Sequence, residues 1–294
     1  MTEQLQQQGI AFAEGVPMSS KTTFRIGGPA ELMLYPNSVE QLQACIKLCH
    51  EAGEKPFLLG RGSNLLVKDS GLDGVVISTE KMVGMEDLGD GKMYVEAGVN
   101  LAVMCNFALK HNLTGAEFAF GIPGALGGST YMNAGAYDGE MSDIIAEVLE
   151  ISSTGELNWL PVVECAFGYR KSVFMQTGGV VAAARLQLKV GDPAKIKAEM
   201  DDIMHRRRDK QPLEFPNAGS AFKRPPGHFA GGLIQQCDLK GRSVGGAQIS
   251  EKHAGFIINT GGATAADVRA LIALVQEVVQ QETGVFLEPE IKFV

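Results

Sequence analysis

Apolar residues recur every three or four positions in several stretches of the chain, which predicts amphipathic helices. The first predicted helix covers residues 38–50 and opens with Ser38 three positions before a glutamine, as in a capping box. The second opens at Asp192, where a proline follows, and runs to the basic residues 206–208. Pro212 then ends the helical pattern.

A third amphipathic helix is predicted to start at Thr264 and to close before Gly284, and a shorter helix covers residues 101–111. The segments between the helices alternate apolar and polar residues or carry β-branched runs, which predicts strands. The clearest predicted strands are residues 74–77, 93–95, 146–151, 180–188 and a terminal strand over 285–294. Strands and helices in this mixed order predict an α+β fold.

Two glycine-rich stretches are the strongest candidates for chemistry. Residues 59–67 read Leu-Gly-Arg-Gly-Ser-Asn-Leu-Leu-Val, and residues 121–137 form a predicted long loop about sixty positions later. Glycine lets successive main-chain N–H groups approach an anion, so the pair predicts two cradles for one phosphate-rich cofactor. Neither stretch carries the glycine spacing of a Rossmann loop or the Gly-Lys-Ser/Thr tail of a P-loop. Glycine-rich turns also join strands without binding anything, and that alternative stays open at this point.

Composition narrows the class of protein. The chain has 294 residues of which 45% are apolar, which suffices for about two domains. A formal net charge of −8 and a pI near 5.2 argue against a nucleic-acid partner. The N-terminus lacks a secretion signal and no long apolar run follows, so we expect a cytoplasmic protein without a membrane partner. Cys45 and Cys49 lie one helical turn apart, and buried free thiols are favoured over a redox or metal pair.

Further motifs occur in a fixed order around the glycine-rich stretches. They are residues 23–28 (Thr-Phe-Arg-Ile-Gly-Gly), 167–172 (Phe-Gly-Tyr-Arg-Lys-Ser), 210–212 (Lys-Gln-Pro), 218–223 (Ala-Gly-Ser-Ala-Phe-Lys), 245–247 (Gly-Gly-Ala) and 287–290 (Leu-Glu-Pro-Glu). Over nearly its whole length the chain thereby resembles the UDP-N-acetylenolpyruvylglucosamine reductases, the MurB family. It resembles the compact branch of that family, because the distance from Arg170 to Ser220 is short and the tyrosine-bearing loop of the longer branch is absent. Arg224 stands where the longer branch has an asparagine, so contacts to the nucleotide part of the substrate do not carry over from that branch.

The resemblance implies an FAD-binding domain of the p-cresol methylhydroxylase type, built from two α+β subdomains, and a smaller C-terminal α+β domain that binds substrate. The implied limits are an N-terminal segment over residues 1–24, the FAD domain over 25–190, a helix and linker over 191–216 and the C-terminal domain over 217–294. FAD and NADPH are the implied cofactors. By resemblance, FAD would rest on Gly60, Arg61, Gly62, Ser63, Asn64, Gly121, Ile122, Pro123, Gly124, Gly128, Ser129 and Gly135.

The reaction implied by the resemblance is the NADPH-dependent reduction of UDP-N-acetylglucosamine enolpyruvate to UDP-N-acetylmuramate, a step of peptidoglycan precursor synthesis. Arg170 would clamp the substrate carboxylate, Glu290 in the terminal strand would share a proton with it, and Ser220 would protonate the adjacent carbon. Substrate would also contact Tyr169, Lys210 and Arg224. No metal, nucleic acid, membrane or obligate protein partner is expected.

Two other functions remain compatible with the same loops. One is an FAD-dependent sugar or alcohol oxidase, since a fold alone does not determine a reaction. That hypothesis lacks an obvious base, because the five histidines lie outside the flavin loops and only His253 lies in a segment that could face substrate. The other is a non-enzymatic module that binds a nucleotide sugar, which would be colourless when purified.

Overall fold

The chain forms an α+β fold of eight helices and nineteen strands, and the computed structural model describes residues 1–294. The helices are α1 Thr2–Gln7, α2 Val39–Glu51, α3 Leu101–Lys110, α4 Leu126–Tyr131, α5 Phe174–Thr177, α6 Pro193–Lys210, α7 Ala230–Gln236 and α8 Ala265–Thr283. The strands are β1 Ala11–Pro17, β2 Pro29–Tyr35, β3 Phe57–Leu59, β4 Leu65–Leu66, β5 Leu72–Ser78, β6 Met85–Gly89, β7 Lys92–Glu96, β8 Leu113–Thr114, β9 Gly135–Ala136, β10 Gly139–Glu140, β11 Ile145–Ile151, β12 Leu157–Pro161, β13 Val180–Gln187, β14 Lys189–Val190, β15 Asn217–Ser220, β16 Ser243–Val244, β17 Ala247–Ile249, β18 Phe256–Asn259 and β19 Lys292–Phe293. None of the helices combines the length and the apolar character that crossing a membrane requires.

The four predicted helices are confirmed as α2, α3, α6 and α8. At the start of α2 the Ser38 hydroxyl accepts the N–H of Gln41 at 3.3 Å. The Gln41 side chain accepts the N–H of Asn37 at 3.0 Å, one residue earlier than a capping box would require. At the start of α8, Thr264 and Asp267 form a complete capping box. These local hydrogen bonds explain why sequence located both helix starts correctly.

The prediction of a loop throughout residues 121–137 was wrong, because this stretch contains helix α4. The first two N–H groups of α4 donate to the carbonyls of Val99 and Ala97, each at 2.9 Å. Gly127 lies close to Ala97, and a Cβ atom added at residue 127 would be 2.8 Å from the Cβ of Ala97. The short helix is therefore fixed by contacts with a segment about thirty residues earlier in the chain, which a local pattern does not report.

The predicted terminal strand over residues 285–294 was also wrong in extent. Only β19 is a regular strand, and it pairs in parallel with β4. The segment before β19 pairs only through an isolated bridge between Pro289 and Phe222, whose hydrogen bonds come from the N–H groups of Lys223 and Glu290. Glu290 therefore lies between the bridge and β19, and not inside a strand as predicted.

The chain divides into two units. Unit 1 comprises residues 1–14, 32–61 and 74–205, and unit 2 comprises residues 15–31, 62–73 and 206–294. Unit 2 therefore combines the C-terminal region with two short segments from early in the sequence. The domain limits implied by the resemblance stay a prediction.

Unit 1 is organised around a five-stranded sheet of order β12-β11-β13-β7-β6, in which all neighbours are antiparallel. Both faces of its inner strands β11 and β13 are largely buried. Val148 of β11 packs with α3 and α4 residues such as Met104, whereas the next residue, Leu149, packs with α2 residues such as Leu42. Apolar residues on both faces also account for the continuous apolar run over residues 180–184 of β13.

Unit 2 contains a four-stranded antiparallel sheet of order β15-β18-β17-β16, covered by α7 and α8. Val268 and Val275 from α8 and Ile257 from β18 are all nearly fully buried in its core. The start of α8 is held by Asp69, whose two carboxylate oxygens accept the first helical N–H groups at 2.8 and 3.2 Å. This contact anchors the segment that follows the first glycine-rich stretch to the start of α8.

Candidate active site

The two glycine-rich stretches approach each other in unit 1. A Cβ atom at Gly60 would lie 4.0 Å from the Cβ of Ala125 and 4.0 Å from the amide nitrogen of Gly128. A Cβ atom at Gly128 would meet no other group within 4 Å. Internal packing thus does not require glycine at either position, and the main chain at Gly128 lies beside open space. The residues present therefore fit a ligand that needs close approach to the main chain, such as the diphosphate of FAD.

Other glycines in the same stretches are required by the protein's own packing. Gly62 has a φ of 60°, and a Cβ atom there would lie 2.3 Å from the carbonyl oxygen of Lys21. At Gly127, the side chain of Ala97 leaves no room for a residue larger than glycine. The neighbouring residues Gly127 and Gly128 therefore differ: the first packs against Ala97, and the second faces open space.

The remaining predicted cofactor residues differ in exposure. Arg61 and Pro123 are exposed, whereas Gly124 and Ser129 are buried. The residues of intermediate exposure are Ser63, Asn64, Gly121, Ile122 and Gly135. The exposed Arg61 is the charged side chain of this set, and it lies next to Gly60 in sequence.

Arg170 lies in a tight turn between Gly168 and Lys171. These two residues exchange main-chain hydrogen bonds of 3.0 and 3.1 Å, and Arg170 takes a φ of 55° inside the turn. One guanidinium nitrogen of Arg170 donates to the carbonyl of Gly135 at 3.4 Å, and the guanidinium carbon lies 5.1 Å from the centre of the Tyr169 ring. The structure therefore brings the predicted carboxylate clamp to the second glycine-rich stretch.

Sequence reasoning missed Asn133, which connects this turn to the same stretch. Asn133 is fully buried and has a φ of 43°. Its amide nitrogen donates to the Gly168 carbonyl at 3.2 Å, while its side-chain oxygen accepts the N–H of Ser142 at 3.0 Å. Asparagine tolerates positive φ better than most residues, so its position among the glycines was the available signal.

In unit 2, backbone pairing brings the predicted acids Ser220 and Glu290 together. Ser220 is exposed at the end of β15. The N–H of the half-buried Glu290 donates to the carbonyl of Ala221 at 2.9 Å, and the N–H of Lys223 donates to the carbonyl of Glu288 at 2.9 Å. The side chains of Lys223 and Glu288 also form an ion pair. The chain segments of the two acids thus run side by side.

The predicted substrate cations lie on exposed parts of unit 2. Lys210 is the last residue of α6, and the Arg224 guanidinium lies 4.0 Å from the centre of the Phe229 ring. His253 is partly buried, and its Nδ1 accepts the N–H of Gly255 at 3.1 Å. Burial lowers the pKa of His253 below its usual 6.5, so the neutral imidazole is favoured in the folded protein.

Two other features of unit 1 lie apart from the glycine-rich stretches. Cys45 and Cys49 are buried free thiols, as predicted, and burial raises their pKa values to about 12 and about 11. They are therefore unreactive packing residues of α2. A cleft of about 330 Å³ also opens in unit 1, and its walls come from α2, β7, β11 and β12.

Comparison with known proteins identifies both parts of the chain. Residues 30–160 match the family model described as FAD binding domain, and residues 211–294 match that of the UDP-N-acetylenolpyruvoylglucosamine reductase C-terminal domain. The reductase of that name from Clostridium perfringens (strain SM101 / Type A) is 47% identical over 95% of this chain and 91% of its own length. The one from Streptococcus pyogenes serotype M5 (strain Manfredo) is 43% identical, with 97% of both chains covered.

A solved structure gives the same result at the level of the fold. The crystal structure of UDP-N-acetylenolpyruvylglucosamine reductase (MurB) from Thermus caldophilus superposes with a TM-score of 0.81 and 35% sequence identity. The match covers 97% of this chain and 98% of that one. With this agreement across the full length, the chain belongs to the MurB family of UDP-N-acetylenolpyruvoylglucosamine reductases.

Proposed function

We propose that this protein reduces UDP-N-acetylglucosamine enolpyruvate to UDP-N-acetylmuramate, with NADPH as reductant and FAD as bound cofactor, in peptidoglycan precursor synthesis. The observation that carries the proposal is the approach of Gly60 to Gly128, where the main chain of Gly128 is not covered by side chains. Both residues lie in the part of the chain that matches the FAD binding domain. When bound, FAD supplies hydride transfer from NADPH to the methylene carbon of the enolpyruvyl group. A proton must also reach the adjacent carbon, so that one hydride and one proton add across the double bond.

Arg170 is proposed to stabilise the charge that develops on the substrate. When the methylene carbon receives a hydride, negative charge spreads toward the substrate carboxylate. A guanidinium stays protonated at any working pH and can hold both carboxylate oxygens at once. The turn between Gly168 and Lys171 and the hydrogen bond to Gly135 support this role, since they restrict the position of the arginine.

Ser220 and Glu290 are proposed as the proton-handling pair. The hydroxyl of Ser220 would donate its proton to the carbon next to the carboxylate, and Glu290 would share a proton with the carboxylate itself. Serine is a weak acid, so this step requires a strongly basic carbon within hydrogen-bond reach. The exposed position of Ser220 and the pairing of Glu290 with Ala221 support the assignment, because they hold both residues on one edge of unit 2.

The other proposed substrate contacts follow from charge and shape. Lys210 and Arg224 are exposed cations that suit the substrate diphosphate, and Tyr169, 56% exposed, suits a wall of the binding site. The substrate and both cofactors are small molecules. The proposed reaction therefore needs no nucleic-acid, membrane or protein partner.

An anaerobic visible spectrum tests the proposed function. The purified protein should be yellow, bleach with one equivalent of NADPH, and regain its oxidised band when the enolpyruvyl substrate is added. If oxygen restores the band and the enolpyruvyl sugar does not, the protein is an oxidase. If no flavin band appears even after FAD is added, both flavoenzyme functions are excluded and a binding module remains.

A further inference from the structure

Within unit 2, Asn64 of the first glycine-rich stretch is hydrogen-bonded directly to the segment that carries Glu290. Gly62 of the same stretch is connected to the strand that carries Ser220 through Thr23. We propose that Thr23 and Asn64 make these connections as positioning residues, which hold the two acids in place for proton transfer. The inference rests on the proposed function, because it concerns the acids named there.

Thr23 connects the glycine-rich stretch to the strand of Ser220. Its N–H donates to the carbonyl of Gly62 at 3.3 Å, and its hydroxyl donates to the carbonyl of Asn217 at 2.7 Å. Asn217 is the first residue of β15, and Ser220 is the last. A carbonyl oxygen only accepts, so the threonine hydroxyl must be the donor. The Thr23 side chain therefore holds the first residue of the strand that ends at Ser220.

Asn64 makes the second connection, to the segment of Glu290. Its side-chain amide nitrogen donates to the carbonyl of Glu290 at 3.3 Å, and its main-chain carbonyl accepts the N–H of Lys292 at 2.9 Å. The resemblance implies that Asn64 contacts the cofactor. Its side-chain NH₂ group is directed at a protein carbonyl, and this gives Asn64 a role toward the acid as well.

The backbone at the centre of these connections has little freedom to move. Gly62 has a φ of 60° and lies against the Lys21 carbonyl, so the main chain cannot shift toward it. The hydrogen bond from the N–H of Glu290 to the carbonyl of Ala221 joins the segments of the two acids directly. Proton transfer requires a donor at hydrogen-bond distance, and a displacement of about 1 Å slows such steps severely. Loss of either connection should therefore impair the protonation step in particular.

The test measures the two half-reactions separately by stopped flow in flavin-loaded Thr23→Val, Thr23→Ser and Asn64→Asp. Valine removes the hydroxyl at nearly constant shape, and aspartate replaces the donor by an acceptor. We expect reoxidation by the enolpyruvyl substrate to slow by about tenfold or more in Thr23→Val and Asn64→Asp, and flavin reduction by NADPH to change less than about twofold in Thr23→Val. Thr23→Ser keeps the hydroxyl and should retain the wild-type rate.

A second readout uses the flavin-free protein. Amide hydrogen exchange should become faster in the peptides that cover residues 217–224 and 286–294 when Thr23 or Asn64 is changed, while α8 remains protected. Equal slowing of both half-reactions together with weaker FAD binding in Thr23→Val would overturn the inference, because Thr23 would then act through the cofactor. Unchanged reoxidation in Thr23→Val and Asn64→Asp would also overturn it.

Ser220→Ala and Glu290→Gln, measured in the same assay, separate this inference from the proposed function. If these two variants reoxidise at the wild-type rate, the proposed roles of the acids fail and the positioning role fails with them. If they slow reoxidation while Thr23→Val and Asn64→Asp do not, only the positioning role is wrong.

Discussion

The main-chain N–H of Glu290 donates a 2.9 Å hydrogen bond to the carbonyl of Ala221, the residue that follows Ser220 in the chain. Almost seventy positions separate the two segments in sequence, and the bond aligns them side by side. The two proposed acids therefore share one backbone support within unit 2.

Ser220→Ala should separate the two half-reactions. Without the hydroxyl, the carbon next to the carboxylate has no proton donor, so reoxidation by the enolpyruvyl substrate should slow by about 10²–10⁴-fold. Reduction by NADPH should stay within about twofold of wild type, since this step does not use that proton. Rapid-mixing absorbance of the flavin band measures both steps. Ser70→Ala, at another exposed serine, serves as the control, and equal rates in both variants would contradict the role.

Gly127→Ala and Gly128→Ala should have opposite effects although the residues are neighbours. A Cβ atom at residue 127 collides with Ala97, so Gly127→Ala should lower the free energy of unfolding by roughly 1–3 kcal/mol. Residue 128 has open space and lies in a helix, so Gly128→Ala should leave stability unchanged or raise it by up to about 1 kcal/mol. FAD binding by Gly128→Ala should weaken by about tenfold or more.

Urea unfolding of the flavin-free variants measures the first effect, and quenching of FAD fluorescence on titration measures the second. Normal FAD affinity in a well-folded Gly128→Ala protein would mean that the open space at this residue is not part of the cofactor site.

Arg170→Lys should retain the fold and lose much of the rate of the substrate half-reaction. Lysine keeps the positive charge, but a single ammonium cannot hold both carboxylate oxygens as a guanidinium does. We expect reoxidation to slow by about 10²–10³-fold, as when a donor to a developing anion is removed. Lys171→Met, at the exposed next residue, should keep the wild-type rate. A wild-type rate in Arg170→Lys would show that charge alone suffices.

His253 should make the folded protein less stable as the pH falls. Burial, with a smaller contribution from the charge of Lys240, lowers the pKa of His253 in the folded state below 6.5. Below that pH the unfolded chain binds a proton that the folded chain does not, so the free energy of unfolding decreases as the pH falls toward the lowered folded value. At pH values above about 7 both states are neutral and this contribution vanishes.

The measurement is the melting temperature between about pH 7.5 and pH 5.5. His253→Gln should show a shallower decrease than wild type over this range, whereas the control His228→Gln, at an exposed histidine, should follow wild type. Identical slopes in wild type and His253→Gln would contradict the prediction.

The helices that sequence predicted correctly are those whose signals are local. Ser38 and the pair Thr264 and Asp267 satisfy N–H groups within three residues of themselves, so the pattern of the chain contains both partners. The apolar stripes of α2 and α8 likewise depend only on helical spacing. Capping hydrogen bonds between residues this close in sequence can be predicted without knowledge of the fold.

Sequence patterns were sufficient to identify the family, the glycine-rich stretches and the types of residue at the candidate site. Only the folded structure showed that α4 forms against Val99 and Ala97, and that the segment before β19 pairs only at Pro289, with Phe222. It alone showed that Gly128 faces open space while Gly127 faces protein, and that the Asn64 side chain reaches the Glu290 carbonyl. In each case the partner lies far away in the chain, so the interaction exists only after the backbone has folded.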